Sequence, residues 1–130
     1  MALAFDRQGQ SCVWAVPHLT VFLMLSIGWT TTSSQAHAET LGRALVGAGL
    51  IVCAQIDGPV TSIYHWDGEI QTDAEWRLTV KFLPEHGAAI EKRLKELHSF
   101  ENPQWVTIKA DHVAEKYLSW AKANSSSLSL

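Results

Sequence analysis

The chain has 130 residues, 47% of them hydrophobic, which makes one ordinary domain with a single buried core and leaves no room for two. The formal net charge of -3 comes from acids and bases interspersed along the chain. The nearest approach to a basic cluster, Lys92, Arg93 and Lys95, shares its helix with Glu91 and Glu96, so it reads as a solvated face and nucleic acid is disfavoured as a partner.

Between Arg7 and Glu39 there is no Asp, Glu, Lys or Arg. As a targeting segment, Arg7 is the n-region, 19–27 the apolar region and Ala36-His37-Ala38 the cleavage signal. As structure, 20–29 is a buried strand and 32–48 the following helix, capped by Thr32 or Ser33. The structural reading is preferred, because losing the stretch removes a strand from the sheet and the first turns from the helix. A membrane span is disfavoured by Pro17, His18, Gly28 and the run of Thr and Ser. Residues 1–19 are then a poorly ordered extension, 20–123 the domain and 124–130 a disordered tail.

Ala38, Leu41, Leu45 and Ala48 recur at helical spacing, and Gly47 and Gly49 mark where that helix stops. The apolar run 50–56 is too short for a helix and reads as a buried strand. Gly58-Pro59 bends the chain before 60–66, a segment rich in β-branched and aromatic residues. Asp67-Gly68 then supplies the two positive-φ positions of a tight turn. From Glu69 to Phe82 polar and apolar residues alternate strictly, with Trp76, Leu78, Val80 and Phe82 on one face and Asp73, Glu75, Arg77 and Lys81 on the other. Trp66 and Glu69 therefore flank a β-hairpin turn.

A continuous second arm reaches roughly 45 Å at about 3.3 Å per residue, whereas a domain of about 100 residues has a radius of gyration near 13 Å. The hairpin overhangs its own domain. An overhanging arm carrying Ile63, Tyr64, Trp66 and Trp76 is an exposed apolar edge of the kind proteins cover or pair, which predicts a partner subunit.

Further on, Pro84 suits the first turn of a helix whose inward face is Ile90, Leu94 and Leu97. It ends by His98, and Pro103 bars its return. A strand over 105–109 follows, then a last helix capped by Asp111 or His112 and carrying Val113, Tyr117 and Trp120. The order β, α, β, β, α, β, α is the α+β, ferredoxin-like βαββαβ sandwich, an antiparallel sheet with helices on one face and a helix appended at the C-terminal end.

The strings ALVGAGLIVCA (44–54), DGPVTSIYHWDGEI (57–70), LHSFENP (97–103) and YLSW (117–120) resemble the CutA family of divalent-cation tolerance proteins. The combination of a TSIYxWxG hairpin with an HxFExP corner at matching spacing is the specific part. The resemblance implies a cytoplasmic homotrimer with long hairpins paired across subunits, no membrane association, no enzymatic activity, and a role in divalent metal (copper) tolerance. Copper-associated bacterial members carry Cys, His and Glu where this chain has Thr30, Leu97 and Gln104, none of them a soft-metal ligand. His98 and Glu101 remain as the candidate metal ligands for Cu2+ or Zn2+, one nitrogen and one oxygen. The alternative to such ligation is that His98 caps the helix end and Glu101 accepts local backbone hydrogen bonds.

Cys12 and Cys53 make no disulfide framework and no CxxC pair, which fits a reducing compartment. Cys53, in an apolar run, reads as an inert core thiol. His65 faces opposite to Tyr64 and Trp66 and suits stacking at a subunit contact. Trp76 and Trp120 read as core. Lys81 is solvated unless a neighbouring subunit covers it, in which case it is an anion anchor. No Gly-rich phosphate loop or RNP-type aromatic pattern is present. The alternative function is an enzyme or small-molecule sensor with a site in the inter-subunit cleft, lined by Tyr64, Trp66, Lys81, His98 and Glu101. A third is a scaffold displaying a surface to other proteins.

Overall fold

The computed structural model describes residues 4–5, 11–12 and 24–126. Four strands, β1 (Ser26–Thr32), β2 (Cys53–Trp66), β3 (Glu69–Phe82) and β4 (Val106–Lys109), form one antiparallel sheet in the order β2-β3-β1-β4. Among the described residues three α-helices, α1 (Gln35–Gly47), α2 (Gly87–Leu97) and α3 (Glu115–Ala123), complete the expected ferredoxin-like βαββαβ plan with its C-terminal helix. A separate short ladder pairs Ala4 with Cys12 and Phe5 with Ser11. The expected extension over 1–19 lies mostly outside the described residues.

Alternation decides which side of the sheet is dry. Leu78, Val80 and Phe82 of β3 meet Leu41 and Leu45 of α1 and Ile90 and Leu94 of α2, all wholly or almost wholly buried. Burying each such side chain is worth about 1.5–3 kcal/mol. α3 packs on the other side of the sheet at one end, where Ala121, Leu25, Val52 and Leu83 form a second, smaller cluster.

Several boundaries move from the sequence expectation. The first strand runs from Ser26 to Thr32 rather than over 20–29, and residues 20–23 lie outside the described set. Ser34, not Thr32 or Ser33, caps α1, its hydroxyl accepting the His37 N–H at 3.1 Å, while the Thr32 hydroxyl donates to the Ser34 carbonyl at 2.7 Å. The second strand starts at Cys53 instead of residue 50, because α1 ends in a Schellman turn that uses Gly49 and Leu50. The fourth strand starts at Val106. Helix α3 has Ala114 at its cap with no side-chain cap bond, so neither Asp111 nor His112 serves. Trp120 is exposed, not core, and lies against Tyr117.

The end of the domain is tied back to the α1–β2 turn. Ser126 N–H donates to the Gly49 carbonyl and its hydroxyl to the Ala48 carbonyl, both at 2.9 Å. Gly49 has φ 71°, and a Cβ there would stand 1.9 Å from the Ser126 hydroxyl. Gly49→Ala therefore both strains the backbone and expels the tail, with an expected loss of about 1–3 kcal/mol in chemical denaturation. A loss no larger than a surface substitution gives would show that the tail does not brace the turn.

The hairpin has the predicted turn, with Asp67 at φ 53° and Gly68 at φ 77° joining Trp66 to Glu69. Its ladder is irregular between Asp57 and Val60, where two residues of β2 oppose one of β3. That bulge reverses the facing of β2. Ala54 and Ile56 face the helices, but beyond the bulge Thr61, Ile63 and His65 take that side, and Tyr64 and Trp66 join Asp73 and Glu75 on the opposite one. β1 pairs with β3 only from Trp76 to Phe82, so residues 69–75 of β3 project about 23 Å beyond the sheet at ~3.3 Å per residue.

Candidate functional site

The projecting arm leaves large apolar side chains uncovered within the subunit: Ile63 and Ile70 are each 70% exposed, Trp66 58% and Tyr64 41%. Between the arm and the corner formed by residues 99–104 lies a cleft of about 940 Å³. Tyr64, Trp66 and Glu101, three of the residues singled out from the sequence, line it. Lys81 does not. It sits six positions along β3 from Glu75, with Nζ 5.4 Å from the centroid of the Tyr117 ring at the far end of the sheet.

His98 lies behind the corner rather than in the cleft. It follows α2 directly and is 9% exposed. The Phe100 N–H donates to Nδ1 at 3.1 Å, which leaves the ring proton on Nε2. Nε2 in turn lies 2.9 Å from the Thr31 carbonyl and 3.2 Å from the Thr30 hydroxyl. The imidazole thus ties the corner to β1, and both of its nitrogens are engaged. Burial pushes its pKa below the ordinary histidine value, opposed by the bond to Thr31; the nearby His37 lowers it further and Glu75 raises it. The His37 and His98 rings meet edge to face at 5.6 Å, and Phe100 lies 4.9 Å from His98 on its other flank.

On the cleft's strand wall, the Tyr64 hydroxyl donates to the Asp73 carboxylate. That bond, with smaller contributions from burial and the charges of Asp73 and Glu75, raises the Tyr64 pKa above its ordinary value. Asp73, Glu75 and Phe100 are the site residues that sequence reasoning did not single out. Asp73 was within reach of it. A two-residue turn sets Trp66 opposite Glu69 and Ser62 opposite Asp73, so Tyr64 and Asp73 are diagonal neighbours on one face. Below the cleft Arg77 makes a two-pronged pair with Asp57, 2.6 and 3.2 Å, which holds its pKa above the usual value; being half exposed, the pair adds little stability.

Among the described residues no three His, Cys, Asp or Glu side chains come together to hold a metal ion, and no helix is long and apolar enough to cross a membrane. Cys53 is a free, half-buried thiol opposite Lys81 in the ladder.

A family model described as CutA1 divalent ion tolerance protein matches residues 26–124, which take in the four-stranded sheet and the three α-helices found among the described residues. The chain belongs to this CutA1 family. Over 95 residues it is 34% identical to the divalent-cation tolerance protein CutA of Thermus thermophilus, covering 73% of this chain and 92% of that one. The Escherichia coli CutA protein is 28% identical over 94 residues, 72% of this chain and 84% of that protein. The solved Thermus thermophilus Cut A1 structure superposes with a TM-score of 0.76 at 32% identity, covering 79% of this chain and 100% of the other. The α+β, ferredoxin-like fold expected from the order of the elements is the fold observed.

Proposed function

We propose that this CutA-family protein serves divalent-cation tolerance as a non-enzymatic cytoplasmic homotrimer, and that its clefts, lined by Tyr64 and Trp66, lie where subunits meet. The link to divalent cations rests on family membership and on the names of its relatives. The observation that carries the assembly is the uncovered arm. Ile63 and Ile70 on one face of the arm and Trp66 on the other are left exposed by their own subunit, and residues 69–75 of β3 have a free edge on the side where β1 has ended. Another copy of the chain satisfies both at once. Fractionation with a marker for each compartment tests the location.

Metal contact centres on His98 and Glu101. For His98 to take an ion, it must release either the Phe100 N–H or the Thr31 carbonyl. Such an exchange, with one exposed carboxylate as the second ligand, makes a weak site within a subunit. Calorimetric titration of metal-free protein with Cu(II) and Zn(II) is expected to give only weak, unsaturated heats. Saturable uptake near one ion per subunit that disappears in Glu101→Gln, a substitution at an exposed position, would instead make the corner a direct metal site.

A further inference from the structure

A smaller cavity, of about 370 Å³, lies between α2 and β4 on the helix-covered face of the sheet, at the end away from the hairpin tip. It is formed within one subunit and shares no lining residue with the cleft beside the arm. Small residues leave the room. In the ladder Ser26 stands between Phe82 and Lys109, and from α2 the facing positions are Gly87 and Ala88. A Cβ on Gly87 would meet nothing nearer than Phe82, at 3.7 Å. Trp105 makes the side wall and is fixed there, because its ring occupies the place of a side chain on Gly28 and stacks on Phe82 at 6.0 Å.

The polar groups around this space point to its occupant. Ser26 is only 4% exposed, yet its hydroxyl has no hydrogen-bond partner among the described residues. So deep a polar group ordinarily has one. The hydroxyl is not sealed off, and the cavity is where it opens. Lys109, its ladder partner, makes no ion pair among the described residues. Glu91 reaches the cavity from α2, and its contact with Lys95 is long, at 3.9 Å. A purely apolar ligand would leave Ser26 unsatisfied. A plain carboxylate would face Glu91 unanswered, and a plain amine would face Lys109. One molecule that carries both charges beside an apolar body answers all three groups, and the cavity is of the size and lining that hold small ligands.

We infer that this cavity binds a free α-amino acid with an apolar side chain. Lys109 and the Ser26 hydroxyl donate to its carboxylate, Glu91 accepts from its ammonium group, and its side chain packs on Trp105 and Phe82. The inference goes beyond the role in divalent-cation tolerance and stands or falls separately from it.

L-Phenylalanine is the probe, used in equilibrium dialysis of the intact protein. On wild type, 3-phenylpropionate, which lacks the ammonium group, and 2-phenylethylamine, which lacks the carboxylate, serve as competitors. The variants are Glu91→Gln/Lys109→Gln, Gly87→Leu, and the exposed control pair Glu115→Gln/Lys122→Gln, which also leaves net charge unchanged. Thermal melting and sedimentation check fold and assembly. The expected result is saturable binding, with each competitor at least about tenfold weaker than L-phenylalanine. Binding falls about tenfold in Glu91→Gln/Lys109→Gln and less than about twofold in the control. It is lost in Gly87→Leu, which fills the cavity with a better helix former. Absence of saturable binding to wild type overturns the inference, as does either competitor matching L-phenylalanine or equal weakening in the control pair. A folded Gly87→Leu that binds as wild type does also overturns it, since the ligand then sits elsewhere. The competitor series needs no variant and decides the matter even where one fails to fold.

Discussion

Trp66→Ala is expected to loosen the assembly by about 2–4 kcal/mol, or roughly 30-fold and upward in the dissociation constant, while leaving the subunit fold unchanged. The two halves of that expectation have one origin. Trp66 stands 58% exposed on the part of the hairpin that no element of its own subunit covers, so the isolated subunit loses little when the indole is removed. A subunit contact that buries it loses a large aromatic anchor. Sedimentation over a range of protein concentrations reads the first half and far-ultraviolet circular dichroism the second. An unchanged oligomer would remove the hairpin arm as the element that holds the subunits together. Loss of the fold would show that Trp66 supports its own domain.

His98→Ala is expected to cost about 2–4 kcal/mol of stability, because it strips the partners from the part-buried Phe100 N–H and the buried Thr31 carbonyl and leaves a void between His37 and Phe100. The same residue imposes a pH dependence whose sign follows from its environment. Burial holds the folded pKa below the ordinary value of about 6.5, so on acidification the unfolded chain takes up this proton before the folded one does. The contribution of His98 to stability is thus fully present above about pH 6.5 and is lost as pH falls through the folded value. Melting temperatures recorded between about pH 7 and pH 5 should fall more steeply for wild type than for His98→Gln. Parallel slopes would mean that the ring is protonated as readily in the folded protein as in the unfolded chain.

How much of this was legible beforehand depends on the range of the interaction. Strict alternation in β3 and the Asp67-Gly68 turn are local. They specified the hairpin, its register and its overhang, and through the register even the closeness of Tyr64 to Asp73. Gly49 as a helix stop was equally local, since a left-handed residue after the last helical turn is a property of a few consecutive residues. The helix caps were less legible, because the run Thr32, Ser33, Ser34 offers three hydroxyls and only the direction in which β1 delivers the chain selects Ser34.

The surroundings of the site were set elsewhere. His98 read as one candidate ligand beside Glu101, but whether its nitrogens are free depends on Thr30 and Thr31, 68 and 67 residues away, which reach it only because β1 lies beside the corner. Lys81 and Tyr64 fell into one proposed cleft, yet the length of β3 sets them at opposite ends of the subunit. The bulge between Asp57 and Val60 exchanges the faces of the outer half of β2, and the extra residue has no signature beyond the Gly58-Pro59 bend. The sequence by itself therefore determined the order of the elements and the uncovered hairpin, because propensity, periodicity and turn chemistry act between near neighbours, while the family was carried by the resemblance of particular strings. Tertiary structure alone decided which polar groups are already satisfied and which carboxylates share a cleft, because those depend on segments far apart in the chain being brought within hydrogen-bonding distance.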